Sequence, residues 1–89
     1  MAHQHPNKKK VVNRLSRIIG HMEAIKKMVE DDRNCNEVLI QISAVKSALN
    51  NTGKLILTDH LNHCVKEAVE DGDMEQLEAF EKALDQYIR

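Results

Sequence analysis

The apolar side chains Val11, Leu15, Ile18, Met22, Ile25 and Val29 recur at steps of 4, 3, 4, 3 and 4, the spacing of one helix face. The stretch "EDDRNC" interrupts that rhythm. Asn34 is placed to cap a second helix, whose seam runs Val38, Ile42, Val45, Leu49, Thr52 and Ile56 and continues through Leu61 and Val65. "EDGD" ends this segment, with Gly72 as its C-terminal stop. A short third helix follows, with Met74, Leu77, Phe80, Leu84 and Ile88 expected inward. No alternating run of strand type, internal repeat or low-complexity segment occurs, and no proline follows Pro6. The pattern predicts an all-α fold of three helices. One stretch leaves a choice open: "LNNTGK", residues 49–54, either stays inside a long second helix or breaks it into a hairpin.

At 89 residues the chain is one domain, 1–89, and so short a chain buries a marginal core by itself, which predicts an oligomer. Residues 1–7 read as a flexible tail. The start "MAHQHPNKKK" lacks an apolar run, and nothing later approaches the roughly 20 apolar residues of a membrane span, so a cytoplasmic protein without a membrane partner is expected. Net charge is −1 but unevenly spread. Residues 1–27 carry seven Lys and Arg against Glu23, or +6, and the remainder carries six against thirteen acids, or −7. A basic start of this kind, with Lys8, Lys9, Lys10, Arg14 and Arg17, suits a polyanion. With only two aromatic residues there is no stacking platform for single strands. No base-and-orienter set accompanies either cysteine, so an enzyme is not expected.

The chemistry concentrates in "DHLNHC", which sets His60 and Cys64 four residues apart on helical pattern, two soft donors on one face. Cys35 is the remaining thiol, and two cysteines in a reducing compartment are available for metal or redox chemistry. If the second helix is continuous, Cys35 stands roughly 37 Å along the axis from His60, and a hairpin still misses it by roughly 13 Å. At about 100° per residue, however, Cys35, His60 and Cys64 point within about 20° of one direction. An antiparallel pair of long helices therefore sets Cys35 of one chain beside His60 and Cys64 of another, twice per dimer. Two thiolates and one imidazole suit Cu(I), whereas zinc asks for a fourth ligand and nickel for more nitrogen. The bland reading is a structural cysteine plus an unrelated surface His and Cys. His21 reads as a packing residue and His63 as solvent-facing.

"KKKVVNRLSRIIGHMEAI", "CNEVLIQISAVKSALN" and "DHLNHC" together resemble the copper-sensing repressor (CsoR/RcnR) family of bacterial transcription factors, from about Lys8 to Ile88. The resemblance implies an all-helical antiparallel dimer that pairs into a homotetramer. It further implies binding of double-stranded operator DNA without a helix-turn-helix, and release when effector binds. It makes Cys35, His60 and Cys64 the metal ligands, Glu75 an acidic partner behind them, and Lys46 a DNA contact beside the basic start. The copper branch matches these ligands. The nickel and cobalt branch is similar in an early histidine, here His3 or His5, but carries histidine where Cys64 stands. The persulfide branch keeps both cysteines and lacks the histidine. Asn34 stands where copper sensors often carry a tyrosine. The expectation is a Cu(I)-responsive repressor, with a persulfide sensor using Cys35 and Cys64, or a nickel/cobalt sensor, as the alternatives.

Overall fold

Three helical rods account for nearly all of residues 7–89, the part of the chain that the computed structural model describes. His3 and His5 lie outside the described residues. α1 spans Lys8–Glu30 and α2 spans Cys35–Asp59; a π-helical turn, His60–Val65, leads into α3, Lys66–Asp71, and α4 covers Met74–Ile88. His60 (φ −63°, ψ −44°) and Lys66 (φ −58°, ψ −46°) keep right-handed helical dihedrals. α2, the π turn and α3 are therefore one unbroken rod. At 1.5 Å per residue such a rod is about 55 Å long, and the molecule measures 55 × 27 × 16 Å. No described helix is long and apolar enough to cross a membrane.

The hairpin alternative at "LNNTGK" does not occur. Thr52 is buried inside α2, and its Oγ1 donates to the Ala48 carbonyl at 2.8 Å, so the hydroxyl is satisfied without leaving the helix. Gly53 has a tertiary reason: a Cβ at that position would collide with the hydroxyl and ring of Tyr87 from α4. The Tyr87 hydroxyl donates to the Asn50 carbonyl at 3.1 Å. Residues that resemble a turn are the landing site of the last helix.

Two helix ends use the same device. Asp32 has φ 56°; its N–H bonds the Val29 carbonyl at 3.1 Å and the Arg33 N–H bonds the Met28 carbonyl at 2.9 Å, the double closure of a Schellman end. Gly72, at φ 67°, closes α3 in the same way, with Gly72 N–H to Val69 and Asp73 N–H to Ala68. Starts are capped too. Asn34 accepts from the Asn36 N–H at 2.8 Å, as its position predicts, and Asp73 accepts from the Gln76 N–H at 3.1 Å.

α1 packs on α2 through Ile18, Ile25 and Val45, flanked by Val38 and Ala48. Here the expected seams split lengthwise. Leu15, Met22 and Val29 of α1 and Ile42, Leu49 and Ile56 of α2 are exposed, by 36 to 58%. The reason is geometric: positions seven apart share one edge of the stripe, so Ile18 and Ile25 meet Val38 and Val45 while the set displaced by four lies on the edge that the neighbouring helix of the same chain does not cover. α4 shows the same shortfall. Leu77, Phe80 and Leu84 are half-buried, while Met74 and Ile88, expected inward, are 65 and 73% exposed.

Candidate functional site

His60 opens the π turn and Cys64 lies within it, so both donors belong to a single widened turn whose backbone bonds reach five residues instead of four. Cys64 is buried at 6% exposure and His60 is half-buried. The imidazole stands against the Phe80 ring, centroids 5.3 Å apart and planes tilted by 43°. α4 thus covers the donor turn, and Phe80 with Leu84, Tyr87, Ile56 and Leu57 lines an apolar cavity of about 250 Å³ that has His60 in its wall. Such isolated π turns are frequent at functional positions.

Cys35 is the first residue of α2 and its thiol side is exposed. Neither cysteine is in a disulfide. Because α2 is straight, Cys35 and His60 stand at opposite ends of it, roughly 37 Å apart along the axis. Among the described residues no three His, Cys, Asp or Glu side chains gather closely enough to hold a metal ion. One chain supplies two donors at one end of the rod and one at the other. Glu75 is exposed in the first turn of α4. His63 is exposed, and His21 is half-buried with Nε2 2.7 Å from Gln41 Oε1, both as expected.

Five of the six basic residues sit on α1. Lys8, Lys9 and Lys10 form the exposed first turn of α1. Arg14 and Arg17 follow one turn on and border a groove of about 340 Å³ with Ile18, His21, Ala48, Asn51 and Thr52. Lys46 is exposed on α2, outside that groove. Ion pairs among the described residues are three surface contacts within single turns: Lys27–Asp31, Arg33–Glu37 and Asp85–Arg89. The six cations singled out for DNA are in none of them.

One connection between the two ends was missed in the sequence. Asn7, counted there with the tail, is the N-cap residue of α1, yet its side chain caps nothing. Instead Nδ2 donates to Asp59 Oδ1 at 2.8 Å across 52 residues of chain. Asp59 is only 4% exposed, and its Oδ2 has no hydrogen-bond partner. A signal for it did exist: Val45, Thr52 and Asp59 are spaced by seven and are the buried residues of α2.

A family model described as metal-sensitive transcriptional repressor matches residues 7–86. The copper-sensing transcriptional repressor CsoR of Bacillus subtilis is 48% identical over 69 residues, 78% of this chain and 68% of that protein. The crystal structure of the copper-sensing repressor CsoR with Cu(I) from Geobacillus thermodenitrificans is similar over 100% of this chain and 95% of its own, with TM-score 0.88 and 36% identity. The nickel-responsive transcriptional regulator InrS is similar over 98% of this chain and 99% of its own, with TM-score 0.77 and 44% identity.

Proposed function

The chain belongs to the metal-sensitive transcriptional repressor family, and on that premise we propose that it represses transcription by binding operator DNA when metal-free and lets go when Cu(I) binds. In this reading Cys35 of one chain joins His60 and Cys64 of its partner across an antiparallel dimer, and two dimers form the DNA-binding tetramer. One observation carries it. The donors stand at the two ends of α2, Cys35 at its start and His60 and Cys64 in the turn that follows it, and the exposed stripe of Ile42, Leu49 and Ile56 runs between them, continued on α1 by Leu15, Met22 and Val29. A second copy laid antiparallel on that stripe covers the apolar surface and brings unlike ends together, twice by symmetry.

The donor set fits the ion. Two thiols and an imidazole suit a soft ion, Cys64 is buried, and His60 stands in the wall of an apolar cavity. Cu(I), when bound, would be held by the thiolates of Cys35 and Cys64 and the imidazole of His60, which would tie the start of α2 to the π turn of the neighbouring chain. The protein's part is to convert that pull into a changed spacing of the basic faces, and by linkage DNA and Cu(I) then weaken one another's binding by the same factor.

A nickel or cobalt response is the second reading. InrS, a nickel-responsive regulator, is similar over nearly the whole chain, and the Asn7–Asp59 bond anchors the start of α1 at the residue before His60. Titrating the DNA-bound protein in parallel with Cu(I), Ni(II) and a persulfide donor decides among the effectors. Release by Cu(I) alone, at one ion per chain, is the expected result. Release by Ni(II), abolished by replacing His3 and His5, would move the assignment to the second reading.

A further inference from the structure

Asp59 is a buried carboxylate with one oxygen used and one idle. Oδ1 holds Asn7, while Oδ2 is buried without a partner. Leaving a buried charged oxygen unpaired is costly, so its persistence calls for a second partner that comes and goes. Asp59 and Lys8 line the same cavity of about 230 Å³, together with Val11, Val12 and Ile56. No ion pair joins Lys8 to Asp59 in this structure. Asn7 is the residue before Lys8, so the hydrogen bond that occupies Oδ1 fixes the lysine's backbone over the carboxylate. Asn7 gives up its ordinary capping bond to do this.

We propose that Asp59 is a positioning residue for DNA binding whose idle Oδ2 competes with a DNA phosphate for the Lys8 ammonium. In one state Lys8 reaches outward to phosphate; in the other it turns into the cavity and closes on Asp59. Both are charge-assisted hydrogen bonds of the same type, so the balance between them is set by small displacements. Asp59 ends α2 directly before His60, the first residue of the π turn. A pull on that turn therefore shifts the carboxylate against Lys8 and changes the balance. The inference rests on the DNA-binding reading above and adds to it an intramolecular competitor for one of the DNA contacts.

Asp59→Asn keeps the shape and the acceptor for Asn7 while removing the charge. Operator affinity of the Cu(I)-loaded protein, measured by fluorescence anisotropy across a salt series, is expected to rise by roughly fivefold, the upper end for one ion pair, while that of the metal-free protein changes little. The salt dependence is expected to steepen, by up to about 0.9 in slope for each lysine returned to phosphate. In a Lys8→Gln background the same substitution is expected to change neither quantity. An Asp59→Asn gain that persists undiminished with Lys8→Gln would overturn the proposal, because the effect would then be a general loss of negative charge. No gain in Asp59→Asn would overturn it as well. If Asp59→Asn does not fold, Lys8→Gln alone decides: it is expected to lower metal-free affinity more than Cu(I)-loaded affinity, and equal losses would count against competition. Wild-type protein that binds no DNA removes the DNA-binding reading first, and the proposal with it.

Discussion

The α1–α2 hairpin and the α4 flap are both amphipathic, yet they are held in different ways. The hairpin has buried aliphatic contacts, Ile18 and Ile25 against Val45, and its turn is closed by paired backbone bonds. α4 buries no residue at all and is tied down by ring contacts at two places, Phe80 on His60 and Tyr87 on Asn50 and Gly53. The first arrangement gives a stiff platform for cations. The second gives a cover that can be displaced at low cost, and it lies over the donor turn. A sensor needs that division, since the part that feels the ligand has to move relative to the part that meets DNA.

The largest effects should come from the hairpin. Ile18→Ala removes a side chain only 6% exposed and should cost about 2–3 kcal/mol, the low end for core truncations, seen as a fall in the urea midpoint with unchanged slope. Phe80→Ala should cost less, about 1–2 kcal/mol, because the ring is half-buried. Its greater consequence should be functional, a weakened coupling between metal and DNA, measurable as the ratio of operator affinities with and without Cu(I). If Phe80→Ala were as destabilising as Ile18→Ala, the contrast between platform and cover would fail.

Gly53→Ala sharpens the contrast because its two consequences oppose each other. Alanine favours the interior of α2 by about 1 kcal/mol, while its Cβ pushes against Tyr87. Tyr87 is the only tyrosine and there is no tryptophan, so intrinsic fluorescence reports on this one contact. The hairpin should hold or gain stability while Tyr87 fluorescence moves toward that of an exposed ring. Unchanged emission would mean that α4 is not seated on Gly53. The smallest effect is at the turn. Asp32→Gly relieves a left-handed conformation that glycine adopts freely and should stabilise by about 0.5–1 kcal/mol without altering α4.

Much of the hairpin was legible from spacing alone, including the Asn34 cap, the Gly72 stop and both long helices. Periodicity located the apolar stripe but could not say which edge a single chain covers, because that depends on how many neighbours a helix has. It also passed over the π turn, since an apolar period near 3.6 survives one widened turn. Composition pointed the wrong way at Asn50 and Gly53, whose turn-like character reflects contact with Tyr87, 34 residues beyond Gly53. The donors His60 and Cys64 were legible as an i, i+4 pair. The Asn7–Asp59 tether is marked in the sequence only by Asp59 falling seven and fourteen residues beyond Thr52 and Val45, and its partner lies 52 residues away, beyond the reach of any local pattern.

A metal centre shared between chains is the feature on which the proposed function turns. Cys35→Ser and Cys64→Ser proteins each lack one thiol, and neither should form a proper centre alone. Mixed dimers contain one position with Cys35, His60 and Cys64 all present and one lacking both thiols. Cu(I) titration of purified mixed dimers, followed by copper X-ray absorption, should therefore return one two-sulfur, one-nitrogen centre per dimer. Verified mixed dimers that hold no such centre, or single mutants that keep it, would contradict the shared site.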